Sequence, residues 1–139
     1  MRHPSGKVSF GGLVLLLLVA GVVYLGVMLA PVYVDNFDVK EAATIAFNRI
    51  QQGLDDDGIR ALILERTGRV GNHWERDQFD RDILVPGLGL TEEQIHIERS
   101  GVTAHVRIQV DYSRRVRLKP SNMVRTVNFH VVKEGIPGQ

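Results

Sequence analysis

The chain has no cysteine. That single absence removes disulfides, thiolate metal sites and cysteine nucleophiles together. Charge of either sign is in short surplus: the net charge is +1, so no overall field points to nucleic acid as a partner. Aromatics are sparse, with one Trp in 139 residues. Serines are few and none sits in a nucleophile motif. No glycine-rich loop joins a strand pattern to a helix pattern, which argues against a nucleotide site. No internal repeat is visible, and 139 residues are enough for one modest domain plus an anchor.

The most informative absence is local. From Val8 to Val34, 27 positions, there is no charged residue. About 20 apolar residues cross the ~30 Å hydrocarbon core as a helix. Leu13 to Ala20 is apolar on every face, whereas a soluble helix keeps a polar one. The spacing therefore predicts a transmembrane helix over 10–34, in which Phe10, Leu16, Gly26, Ala30, Pro31 and Tyr33 meet the membrane. Tyr33 falls where the outer interface lies. A cleaved signal peptide is the competing reading. Its apolar region usually runs only about 7–15 residues, and here Pro31 follows the best small residue, Ala30, while Met28 is large. Arg2 and Lys7 precede the run and Asp35 and Asp38 follow it, so the positive-inside rule leaves residues 1–9 in the cytoplasm and carries the rest across. Gly26 and Ala30 form a small-xxx-small pair through which two such helices can approach, making a homo-oligomer a candidate partner state.

Residues 35–136 are expected to form an extracytoplasmic α+β domain, with 137–139 a tail. Pro31 should end or kink the span. Asp38-Val39-Lys40-Glu41 then has the form of a capping box, and Val39, Ala42, Ala43, Ala46, Phe47 and Ile50 make one apolar helical face closed by Gly53. A second short helix starts in Asp55-Asp56-Asp57 and stops at Gly68. Residues 69–91, with Trp74, Phe79, Ile83, Leu84 and Leu88, read as a loop packed on the core, with a helical turn around 74–79. The period then becomes two. Ile95 and Ile97 alternate with polar residues, Ser100-Gly101 marks a tight turn, and Val102 to Tyr112 alternate again. A two-residue loop places Ile97 opposite Ala104 and Ile95 opposite Val106. A four-residue turn at Lys119-Pro120-Ser121-Asn122 places Val110 opposite Val131 and Tyr112 opposite Phe129. The expected fold is α+β: an N-terminal transmembrane helix followed by two short helices packed on a three-stranded antiparallel meander.

Candidate chemistry is thin. The tight-turn register makes His96 and His105 cross-strand neighbours, a two-ligand start on a zinc or copper site that needs a third ligand, with Glu98 the near candidate. Solvated surface histidines are the simpler reading, and no cofactor is expected. Asp111 opposite His130 is an acid–base pair or an exposed ion pair. Asp55-Asp56-Asp57-Gly58 lacks the alternation of a calcium loop and reads as a helix cap. Arg114, Arg115, Arg117 and Lys119 form a basic stripe that either contacts anionic lipid or an acidic partner, or blunts a strand end.

Ser9-Phe10-Gly11-Gly12-Leu13, Pro31-Val32-Tyr33, Val110-Asp111-Tyr112, Val116-Arg117-Leu118 and Val127-Asn128-Phe129 together resemble a bacterial family catalogued as domain of unknown function 4845. The likeness covers most of the chain except 69–90, which is longer than usual. It implies a small single-pass protein of the bacterial inner membrane with a periplasmic domain and no known activity. The family's genes often neighbour signal peptidase I, which implies envelope biogenesis. A second resemblance is to type IV pilins and pseudopilins, in which Phe opens an apolar helix and Pro-x-Tyr follows about 21 residues later, as Phe10 and Pro31-Val32-Tyr33 do here. Two departures stand out: Ser9 replaces the Gly that the prepilin peptidase expects, and Val14 replaces the assembly Glu. The leading expectation is a non-enzymatic anchored module that binds membrane lipid and an unidentified envelope protein, and no nucleic acid. A pilin-like assembly subunit comes second. An envelope hydrolase or metal-dependent enzyme, resting on His96, His105, Asp111 and His130, comes third.

Overall fold

The structure, a computed structural model, describes residues 9–138. The N-terminal flank with Arg2 and Lys7, and Gln139 of the expected tail, lie outside the described residues. The chain divides into two compact units, one up to Ala30 and one from Pro31 onward.

The first unit is helical throughout its described length. Helix α1 starts at Phe10, and Ser9 caps it: its hydroxyl accepts from Gly12 N at 3.1 Å and its carbonyl from Leu13 N at 3.0 Å. Among the described residues this is the one helix long and apolar enough to cross a membrane, and its most apolar stretch has no buried residue. At about 1.5 Å per residue, Phe10–Ala30 is roughly 31 Å long, the thickness of a hydrocarbon core.

Helix α1 does not stop at Pro31. It runs Phe10–Arg49, 40 residues, with Pro31 inside it. The separate helix expected to be capped by Asp38 is corrected: the first of the two short helices is the second half of α1. A helix-interior proline costs ~3 kcal/mol or more. Here Val32, Val39, Ala42, Ala43, Ala46 and Phe47 bury one face of α1 in the folded unit, and that packing outweighs the break. A short 3-10 turn follows and ends at Gly53, whose φ of 85° is the left-handed cap expected there. Helix α2, Asp56–Thr67, is capped by Asp55 Oδ1 accepting from Gly58 N at 2.8 Å. Its Ile59, Ile63 and Thr67 face inward at i, i+4, i+8, and the buried Thr67 hydroxyl donates to Ile63 O at 2.8 Å.

Residues 69–91 are not a loop. They hold an antiparallel hairpin, β1 (Asn72–Arg76) with β2 (Asp82–Pro86), in which Trp74 faces Leu84. Trp74 is thus on a strand, not a helical turn. The mixed charges between the strands organise the turn itself: Asp77 Oδ1 accepts from Phe79 N at 2.8 Å and Arg81 N at 3.0 Å, and Arg81 Nε donates to Asp77 Oδ2 at 2.9 Å. Those bonds, the Arg81 amide first, hold the Asp77 carboxyl below the usual range.

The second sheet is the expected meander, β3 (Ile95–Arg99), β4 (Val106–Leu118) and β5 (Met123–Gly135), in the order β3-β4-β5. The β4–β5 register is the expected one, Val110 with Val131 and Tyr112 with Phe129. The β3–β4 register is not. Ile95 pairs with Val110 and Ile97 with Ile108, a four-residue shift from a two-residue turn, closed instead by a loop over 100–105 in which Ala104 takes φ 52°. Four is even, so every side chain keeps its face. Ile95, Val106, Ile108, Val110, Phe129 and Val131 are buried on the inner face with α1 and α2 residues Val39, Ala43, Ile59 and Ile63.

Candidate functional site

Past Pro31, α1 presents two faces of different character. Val32, Asp35, Asn36 and Val39 are buried or partly buried, while Tyr33, Val34 and Phe37 are 51%, 57% and 64% exposed. Tyr33, Val34 and Phe37 are spaced i, i+1, i+4, so an apolar stripe lies on the first turns of α1 in the folded unit. Lys40 Nζ lies 5.3 Å from the Phe37 ring centre at its end. Phe37 was missed by the sequence reading, because the stripe is visible only if the helix continues through Pro31. Of the residues expected to meet the membrane, Phe10, Leu16, Gly26, Ala30, Pro31 and Tyr33 are all exposed. The Tyr33 ring also meets Phe129 in a T-shaped contact, with centroids 5.6 Å apart.

On the other face, strand alternation brings Tyr112 and Arg114 to α1. Tyr112 stacks on Phe129 at 5.2 Å and its hydroxyl donates to Asn36 Oδ1 at 3.1 Å. Burial pushes the Tyr112 phenol well above its usual range. Arg114, 8% exposed, pairs with Asp35 at 3.0 Å and donates a second bond to Asn72 O.

This divides the basic stripe. Arg114 shares the inner face with Val110, Tyr112 and Val116, while Arg115 and Arg117 point to the outer face. All three hold the hairpin. Arg115 donates to Trp74 O at 3.0 Å, and Arg117 bonds Asp82 Oδ2 at 2.9 Å with its guanidinium 4.6 Å from the Trp74 ring centre. β3 pairs only with 106–110 of β4, whereas β5 pairs with all of it. The hairpin therefore attaches to the half of β4 that β3 leaves open, by arginine side chains reaching the β1 carbonyls of Asn72 and Trp74. Lys119 stays exposed in the turn. The four residues are thus not one surface: Arg114 is structural, Arg115 and Arg117 are partly engaged, and Lys119 faces solvent.

The histidine pair is corrected as well. His96 lies opposite Gln109, and His105 sits in the preceding loop with its carbonyl accepting from Ser100 N at 2.8 Å. Among the described residues no group of three His, Asp or Glu is arranged to hold a metal. Asp111 and His130 do meet, as their pairing requires, through His130 Nδ1. The Gln109 amide donates to the other carboxyl oxygen, and with His130 it holds the Asp111 carboxyl below its usual range. Ser113 and Asn128 line the same shallow depression of about 370 Å³. Such a pair can exchange a proton with solvent, but among the described residues no hydroxyl donates to His130, as an activated nucleophile would. No family model, curated protein or solved structure matches the chain.

Proposed function

We propose that the protein is a non-enzymatic membrane-anchored module, fixed in the bacterial inner membrane by α1 with its N-terminus in the cytoplasm, whose folded unit engages another component of the cell envelope. The observation that carries this is the stretch from Phe10 to Ala30, apolar on every face, one bilayer long, and continuous in one helix with the buried core of the folded unit. An apolar surface of that length left in water is untenable for a monomer. The test is carbonate extraction of cell membranes followed by flotation. The full chain should stay with the bilayer, and a variant with Leu15→Arg, Leu18→Arg and Val22→Arg should leave it. Release of the unaltered chain by carbonate overturns the anchor. In-cell photo-crosslinking from Phe37, on the exposed stripe, then identifies the bound envelope protein.

A second reading, a pilin-like assembly subunit, draws support from the continuity of α1: an apolar helix half running into a half packed on an antiparallel sheet. Against it stand Val14 in place of the assembly Glu, and Ser9, which caps the helix where the leader peptidase expects Gly. Mature protein beginning at Phe10 would promote it.

A further inference from the structure

Within the folded unit α1 and β5 run in the same direction. Tyr33 meets Phe129, and fourteen residues later Phe47 lies 5.5 Å from Lys133 Nζ. Met123 comes six residues before Phe129 on β5, and β4 pairs with β5 over its whole length. At about 3.3 Å per residue the two strands extend on the order of 15–20 Å beyond the level of Tyr33, at the end of the unit where the chain enters.

That end has a distinct chemistry. Between Tyr112 and Lys133 the chain carries five Lys or Arg and no acid. Asp35 neutralises Arg114 and Asp82 neutralises Arg117. Among the described residues Arg115 donates only to a carbonyl, and Lys119 and Arg125 are exposed, so three charges are uncompensated by these acids. Among them Met123 and Val124 are each 53% exposed. Trp74 and Val124 line one small cleft with Arg115 and Arg117, which places the hairpin, with its exposed Leu84, at this end too.

We propose that this end, the β4–β5 turn with Lys119, Met123, Val124 and Arg125 and the adjoining Trp74 hairpin, is a docking surface for an anionic lipid bilayer. The cations meet headgroup phosphates, and the apolar side chains reach the acyl boundary. The proposal rests on the anchor reading. Given an anchor, the chain enters the folded unit at Pro31, so this end is the one tethered to the membrane. A lipid surface is favoured over an acidic protein because exposed apolar and cationic side chains are interleaved at the end of the unit where the chain enters.

Trp74 is the single tryptophan of the chain, so it reports directly. The full chain is reconstituted in vesicles of brominated phosphatidylcholine, alone or with one third brominated phosphatidylglycerol, at equal bromine content. Flotation is scored first, then Trp74 quenching. The expected result is co-flotation in both, and quenching about twofold stronger with phosphatidylglycerol. That excess should fall as salt is raised from ~0.1 to ~1 M, where the screening length shrinks from ~10 to ~3 Å. It should vanish in Lys119→Glu/Arg125→Glu and persist in Arg49→Glu/Arg66→Glu, which changes net charge equally. Co-flotation with equal quenching in both vesicles overturns the lipid surface and leaves the anchor standing. So does an equal loss in the two charge-reversal variants. Failure to co-float at all overturns the anchor reading.

Discussion

Arg114 and Asp35 carry a prediction whose sign separates a structural ion pair from a surface one. The Arg114 and Asp35 side chains are only 10% and 15% exposed, at 3.0 Å, and Arg114 also holds the Asn72 carbonyl of β1. Removing one partner of a buried pair strands the other, at ~3–5 kcal/mol. Asp35→Leu leaves a guanidinium that keeps its bond to Asn72, which sets the loss near ~3 kcal/mol. Arg114→Met strands both the carboxylate and the Asn72 carbonyl and should cost ~4 kcal/mol or more. The double variant removes both charges and leaves only the carbonyl unpartnered, ~1–2 kcal/mol, so it should be more stable than either single variant. Urea titration of the full chain in detergent micelles, followed by Trp74 fluorescence and far-UV circular dichroism, reads all four proteins. In Arg114→Met the Trp74 signal should move first, because β1 has lost its clamp. If the two single losses simply add in the double variant, the pair is not desolvated and its structural role is refuted.

Phe129→Ala removes a ring stacked on Tyr112 and in T-shaped contact with Tyr33 and should cost ~3–5 kcal/mol, against under ~1 for the exposed Thr126→Ala; the reverse order in urea melts would show the wrong face is buried. Gly87 has φ 89°, and a Cβ there would stand 2.6 Å from the Gly68 carbonyl oxygen, so Gly87→Ala should cost at least ~1–3 kcal/mol, whereas Gly101→Ala, with open space around it, should be nearly silent. The Asp111 carboxyl, held low by Gln109 and then His130, should titrate by NMR below an ordinary aspartate, and Gln109→Ala should raise it. Because the folded value is the lower one, its contribution to stability is present above the unfolded value and is lost as pH falls through the folded one; an Asp111 titrating above an ordinary aspartate would contradict the bonding.

What the sequence discloses depends on which physical rule decides each element. The β4–β5 register is legible because strict alternation meets a Pro-Ser-Asn turn, and the Asp111–His130 contact follows from it. The β3–β4 register is not legible, because shifts by an even number leave the same apolar faces matched. The choice falls to a loop in which Ala104 adopts a left-handed backbone that no local signal announces. The continuity of α1 is hidden by Pro31, a local breaker overridden by the burial of Val32 and of the Val39–Phe47 face that follow it. The hairpin is hidden because Asn72–Arg76 is largely polar and Ile83-Leu84-Val85 is a continuous apolar run, so neither strand shows a period of two. Its position is set from outside itself, by Arg114 and Arg115 of β4. The division of the basic stripe had a usable signal: Arg114 shares the parity of Val110, Tyr112 and Val116, and Asp35 is the first acid after the apolar run.

The central claim is that α1 holds the folded unit across the membrane from the N-terminus. It is tested most directly by paired reporters fused after Gln139, alkaline phosphatase for the outside and green fluorescent protein for the cytoplasm. The expected result is an active phosphatase and a dark fluorescent fusion, with the Leu15→Arg, Leu18→Arg, Val22→Arg variant reversing both. A bright fluorescent fusion with inactive phosphatase on the unaltered chain would place the folded unit in the cytoplasm and contradict it.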